Sequence, residues 1–155
     1  MREILFRGKR TDNGEWVEGG ITFQLPQWGG TTFIAPTRYS DLDDEIEVIP
    51  ETIGQYTGLI DKNGKKIFEG DILAIITTVK GDWTIDENGH YKEPKRKDCA
   101  VVQEDKNTGG YRLKVYHEGK YKRISKFDVN HIQFHYRAEV IGNIHDKPEL
   151  LEEKE

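Results

Sequence analysis

Short runs of alternating apolar and polar residues, each bounded by a glycine-containing turn signal, recur along this chain, and that pattern predicts strands. Ile4 and Phe6 alternate ahead of Asp12-Asn13-Gly14, and Trp16 with Val17 resumes after it. Asn-Gly can supply both φ > 0 positions of a type I′ turn, so a β-hairpin is expected there. Trp28-Gly29-Gly30 leading into Thr31-Thr32-Phe33-Ile34-Ala35 reads as a second turn and strand. The acidic stretch Asp41-Leu42-Asp43-Asp44-Glu45 reads as a solvated loop. Asn63-Gly64 marks another tight turn, between an arm ending at Ile60 and one starting at Lys65.

The run Ile72-Leu73-Ala74-Ile75-Ile76 is apolar throughout, which predicts a strand covered on both faces. The turn Gly70-Asp71 leading into it suggests, by analogy between folds, a small SH3-like barrel. A polar excursion near 78–98 has the composition of a long hairpin or mobile loop. Strand patterns return at Ala100-Val101-Val102, Tyr111-Arg112-Leu113-Lys114-Val115-Tyr116, Tyr121-Lys122-Arg123-Ile124 and Ala138-Glu139-Val140-Ile141-Gly142-Asn143-Ile144. Asn107-Thr108-Gly109-Gly110 and Glu118-Gly119-Lys120 separate the middle ones as turns. Near the end, Asp146 as an N-cap, Pro148 in the first turn and Glu149 three residues on predict a short helical turn. The expected fold is mostly β: a small SH3-like barrel over 65–145, added β-hairpins over 1–64, and a tail over 146–155 with a short C-terminal helical turn. At 155 residues the chain is expected to form a single domain.

Composition narrows the function classes. Charged residues make up 33% and the hydrophobic class 35%, which fits a folded domain with long exposed loops. A net charge of -5 disfavours indiscriminate nucleic-acid binding, which relies on neutralising phosphates, although a local basic face is compatible with it. The single cysteine, Cys99, excludes an internal disulfide framework. The opening residues lack the apolar stretch of a secretion signal, and the longest apolar run is far too short to span a bilayer. A cytoplasmic protein with no membrane partner is expected.

Three blocks carry a resemblance. They are Phe6-Arg7-Gly8-Lys9-Arg10 with Asn13-Gly14-Glu15-Trp16-Val17; Gln55-Tyr56-Thr57-Gly58-Leu59 with Asp61-Lys62-Asn63-Gly64-Lys65 and Phe68-Glu69-Gly70-Asp71-Ile72; and Val140-Ile141-Gly142-Asn143-Ile144 with Pro148-Glu149-Leu150-Leu151. Together they resemble the YopX-like family of phage and prophage proteins and frame nearly the whole chain. The resemblance implies a small β-rich fold with an SH3-like barrel and a phage or prophage origin. It implies no activity and hands over no catalytic or ligand residues, because its blocks consist of turns and core strands.

His131 and His135 would share one helical face as a zinc pair, but Ile132, Phe134 and Tyr136 alternate with them as on a strand. There the rings stand roughly 13 Å apart, too far for one ion, so no metal is expected. Asp61-Lys62-Asn63-Gly64 suggests a calcium loop, yet Lys65 and Lys66 would repel the cation, and a hairpin turn is expected. Cys99, between Asp98 and apolar residues, reads as a structural thiol at a strand edge. Glu69 and Asp71 flank a glycine, and for Asp71 a turn-fixing hydrogen bond suits better than acid-base work. Gly54-x-x-x-Gly58 lacks the Lys-Ser/Thr of a phosphate loop, and no cofactor is expected.

Two clusters remain as interaction candidates: Arg7, Lys9 and Arg10 near Trp16, and the excursion carrying Trp83, Tyr91, Lys95, Arg96 and Lys97. The leading expectation is a non-catalytic accessory protein that binds another protein or itself, since edge strands of a small barrel need cover. The second is a nucleic-acid-binding module using the basic-aromatic loop or the N-terminal hairpin. The third, a small hydrolase, needs a concave site lined with perturbed carboxylates.

Overall fold

The computed structural model describes residues 3–24, 27, 29–36, 45–78, 84–92, 95–118, 120–127 and 138–152. They form two compact units: Met1–Leu59 with Lys66–Glu69, and Ile60–Lys65 with Gly70–Glu155. Antiparallel strands dominate both, as the alternating pattern predicts.

In the first unit, β1 (Phe6–Lys9), β2 (Trp16–Phe23), β3 (Thr32–Pro36), β4 (Ile46–Glu47), β5 (Gly54–Ile60) and β6 (Lys66–Phe68) make one sheet, ordered β4-β3-β2-β1-β5-β6. Phe6 stands opposite Gly19 and Lys9 opposite Trp16. Leu5, Tyr56 and Phe68 form a buried cluster, with the two rings 5.5 Å apart. Gly19 is required by close packing, because a Cβ there would collide with the Ala35 carbonyl of β3.

The β1–β2 connection is a hairpin, but not the expected type I′ turn. Arg10 N–H donates to the Glu15 carbonyl at 2.9 Å and Gly14 N–H to the Arg10 carbonyl at 3.1 Å, closing a four-residue loop. Such a loop needs a single left-handed residue, and Gly14 (φ 72) supplies it, whereas Asn13 is not at positive φ. Asn13 works through its side chain, whose Oδ1 accepts the Glu15 N–H at 2.9 Å.

In the second unit, β7 (Asp71–Thr78), β10 (Lys95–Asp105), β11 (Gly110–His117), β12 (Lys120–Phe127) and β13 (Ala138–Asn143) form a sheet ordered β12-β11-β10-β7-β13. Ile72, Leu73, Ala74 and Ile75 are buried, so β7 is covered on both faces as expected. Ile76, the last residue of the apolar run, is exposed. Among the described residues no ladder joins β12 to β13; the sheet is open, and the SH3-like barrel is not confirmed.

In the excursion near 78–98 the described residues pair as strands. β7 and β10 pair out to Thr78 opposite Lys95, so Lys95 through Asp98 are strand and not loop. Within it, β8 (Thr84–Ile85) pairs with β9 (Tyr91–Lys92). Cys99 is not at a strand edge: β10 is the middle strand of five, and Cys99 sits between Ala74 and Tyr116. The C-terminal turn is present as a 3-10 helix, Pro148–Leu151. Lys147 occupies its N-cap and no side chain caps it. Asp146 instead accepts from Asn143 Nδ2 at 2.9 Å, because Asn143 organises the turn that precedes the helix. His131, His135 and the acidic residues Asp41 to Asp44 lie outside the described residues.

Candidate functional site

The N-terminal cluster is assembled by pairing β1 with β2. Strand alternation puts Arg7 and Lys9 on one face, and Trp16, opposite Lys9, lies beside both. The Arg7 guanidinium sits 4.7 Å from the Trp16 ring and 4.8 Å from Phe68, and its Nη2 donates to the Glu69 carbonyl at 3.4 Å. Arg7 is only 9% exposed, so its charge is held between two rings. Lys9 Nζ lies 5.8 Å from the Trp16 ring. Arg10 is turned to the hairpin loop and grips Asp12 through Nε at 2.8 Å and Nη2 at 2.6 Å. That hydrogen-bonded pair lowers the Asp12 carboxyl and raises the Arg10 guanidinium from their ordinary values. The structure thus brings Arg7, Lys9 and Trp16 together and engages Arg10 elsewhere.

Trp83 lies outside the described residues, while the backbones of Tyr91, Lys95 and Arg96 belong to β9 and β10. Lys97 is exposed on β10, opposite Ile76.

Two acidic residues that sequence reading left in minor roles turn out to organise the second unit. Asp61 is 4% exposed. Its Oδ1 accepts the N–H groups of Asn63 and Lys65 at 2.8 and 2.9 Å, and its Oδ2 accepts that of Val140 at 3.0 Å. Burial alone would raise this carboxyl, but the three backbone donors and the Lys65 charge outweigh it and hold the group below its ordinary range. Three backbone donors meet this carboxylate, two of them within its own turn, and the turn is the expected hairpin. Beside it, Lys62 Nζ meets Glu139 at 2.6 Å and lowers that carboxyl. Asp98, with a fully buried side chain, stands 2.8 Å from His117 Nδ1 across the β10–β11 ladder. Alternation puts Cys99 on the opposite face from this pair, so the three do not form a nucleophile-base relay. Asp71 is buried at the start of β7. Among the described residues no group of three His, Cys, Asp or Glu could hold a metal ion.

A third surface lies on β11 and β12. Tyr116 and Tyr121 are cross-strand partners with rings 6.3 Å apart and near perpendicular. Lys114 Nζ lies 5.5 Å from one ring and 5.6 Å from the other. A β-bulge creates this arrangement. From Tyr111 opposite Phe127 to Val115 opposite Arg123 the register is regular, and then it slips so that Tyr116 faces Tyr121. Without the slip Lys122 would oppose Tyr116, and Tyr121 would point to the other face. The charge signal was nonetheless present in the sequence. Residues 110–127 contain six Lys and Arg and one acidic residue, a local charge of +5, while the rest of the chain carries -10.

Comparison with known proteins bears on this geometry. The family pattern described as YopX protein matches residues 5–152. The chain belongs to the YopX family. The three blocks that carried the resemblance fall in the structure on turns and core strands, such as the Asp61–Gly64 turn and the start of β7. The crystal structure of protein EF1440 from Enterococcus faecalis is similar, with a TM-score of 0.53 and 24% identity, over 98% of this chain and 100% of that one. At that identity the likeness speaks to the fold alone. The comparison with curated proteins finds no match. No helix among the described residues is long and apolar enough to cross a membrane.

Proposed function

We propose that this member of the YopX family is a phage- or prophage-type accessory protein of the host cytoplasm, acting by binding and not by catalysis, with a protein partner that can be a second copy of the chain. The observation that carries the reading is how the buried ionic groups are spent. Arg7 is held between Trp16 and Phe68, Asp61 accepts from three backbone donors, and Asp98 faces His117 inside a ladder. Groups used in this way hold strands together. The resolved carboxyl shifts, at Asp12, Asp61 and Glu139, are all downward, the opposite of a general acid near neutral pH. Large apolar side chains meanwhile stand at the surface, Phe23 of β2 at 68% exposure. Exposed aromatics on a strand are an ordinary component of protein interfaces.

Light scattering on a size-exclusion column, across a concentration series at low and moderate salt, tests the reading. A defined oligomer that persists in salt and is lost in Phe23→Ser supports it. A strict monomer at every concentration, with no phage or host protein retained on an immobilised column of the chain, overturns it.

A further inference from the structure

We infer that the Lys114-Tyr116-Tyr121 face of the β11–β12 hairpin is a binding site for single-stranded nucleic acid, in which bases stack on the tyrosines and lysines neutralise the backbone. This goes beyond the protein-partner reading and uses a different surface. It also differs from the basic-aromatic loop and the N-terminal hairpin considered from the sequence.

Two independent observations support it. The first is ring placement. Tyr121 is 53% exposed and stands against Tyr116, so part of its side chain meets solvent beside a second ring. Base stacking on such rings is sequence-tolerant because every base has a π-face. Lys114 lies against both rings and sets a cation where a phosphate flanking a stacked base would run.

The second is charge segregation. A chain of net charge -5 is a poor general polyanion binder, but phosphates respond to charge within about a Debye length, roughly 10 Å at 0.1 M salt. Within that range of the tyrosines the hairpin offers Lys114 and the exposed Lys122. Lys97 extends the row, since it shares a face of β10 with Cys99, the residue directly opposite Tyr116. The acidic residue of the hairpin, Glu118, occupies its tip. The fold has also departed from a regular ladder to make this face. The bulge moves Tyr121 onto the side of Tyr116 and leaves Lys122 as the extra residue. Bulges recur where a side chain must be re-aimed.

The recognised chemistry is an unpaired polynucleotide strand, either DNA or RNA. A duplex hides its base faces and offers these rings nothing to stack on. The test is fluorescence anisotropy of a labelled single-stranded DNA and an RNA of about 12 nucleotides, within the site sizes such surfaces cover, titrated with the full-length chain. The expected result is saturable binding of at least one strand at low salt. With about three phosphates neutralised, log affinity should fall against log salt with a slope of about -2. Tyr121→Ala weakens binding about tenfold and Tyr121→Phe retains it. Lys114→Gln with Lys122→Gln flattens the slope by about 1.4. Arg10→Gln, in the other basic cluster, leaves both values unchanged. Tyr121 is exposed, so the fold survives its replacement, which circular dichroism checks.

Absence of saturable binding by the wild-type chain at low salt overturns the inference. So does duplex binding as tight as single-strand binding, or an affinity indifferent to Tyr121→Ala. If Tyr121→Ala dissolves an oligomer and leaves the oligonucleotide signal unchanged, the face is a protein interface: this inference falls and the protein-partner reading stands.

Discussion

At the scale of single residues, Asp61 shows how one carboxylate can serve as a structural clamp. Its oxygens accept from Asn63 and Lys65 in its own turn and from Val140 on β13, seventy-nine positions along the chain. Asp61→Ala leaves these donors without their acceptor, so urea unfolding should show a loss of about 2–4 kcal/mol at neutral pH. The carboxyl is held below its ordinary value in the fold, so the ionised form is the stabilising one. Its contribution is full above the unfolded-state value, about 3.9, and is lost as pH falls through the lower folded value. Stability of the wild-type chain should therefore decline more steeply below about pH 4 than that of Asp61→Asn, which acid-range urea titrations would reveal. The turn role of Asp61 was legible in its sequence, because Asp-x-Asn-Gly is a turn spelling and the following lysines exclude a cation. The bond to Val140 was not, since nothing local to either residue announces the other.

At the scale of elements, the hairpins repeat one device. Asp61–Lys65 and Asp86–His90 share the spelling Asp-x-Asn-Gly and the same closure. The Asp carbonyl accepts the glycine N–H at 3.0 Å, and the Asp Oδ1 accepts two N–H groups further on. Gly64 (φ 81) and Gly89 (φ 80) hold the left-handed position. Gly64→Ala should cost about 1 kcal/mol in thermal or urea unfolding, from φ alone, because a Cβ there meets no neighbour. Glu118, at φ 49 just after β11, occupies that region without being glycine. Glu118→Gly should be neutral or stabilising by up to about 1 kcal/mol in the same assay. The existence of most of these hairpins was legible in the sequence. Their turn types were not, since loop length decides how many left-handed residues a hairpin needs, and Asn-Gly fits more than one length.

For the molecule as a whole, the lone thiol offers a direct reporter. Cys99 is half-buried on the central strand of the second unit's sheet, flanked by β7 and β11. A thiol reagent should label it at least about tenfold more slowly in the native chain than in urea, and Asp61→Ala should speed native labelling. Equal rates in native and unfolded chains would contradict its place inside the ladder. The charge distribution belongs to this scale too. Residues 110–127 at +5 within a chain of -5 could be counted from the sequence, yet the count acquires a location only when β11 and β12 are paired.

The sequence by itself determined the antiparallel β character, the positions of most strands and turns, and the absence of a familiar catalytic or metal motif. These follow from alternation, turn chemistry and spacing, which act over a few residues. Only the tertiary structure decided the order of strands in each sheet, the burial of Arg7 between two rings, the clamp from Asp61 to Val140 and the slip that faces Tyr121 to Tyr116. Each depends on pairing between segments distant along the chain. A one-residue change of register, invisible to local pattern, turns a side chain to the opposite face of the sheet.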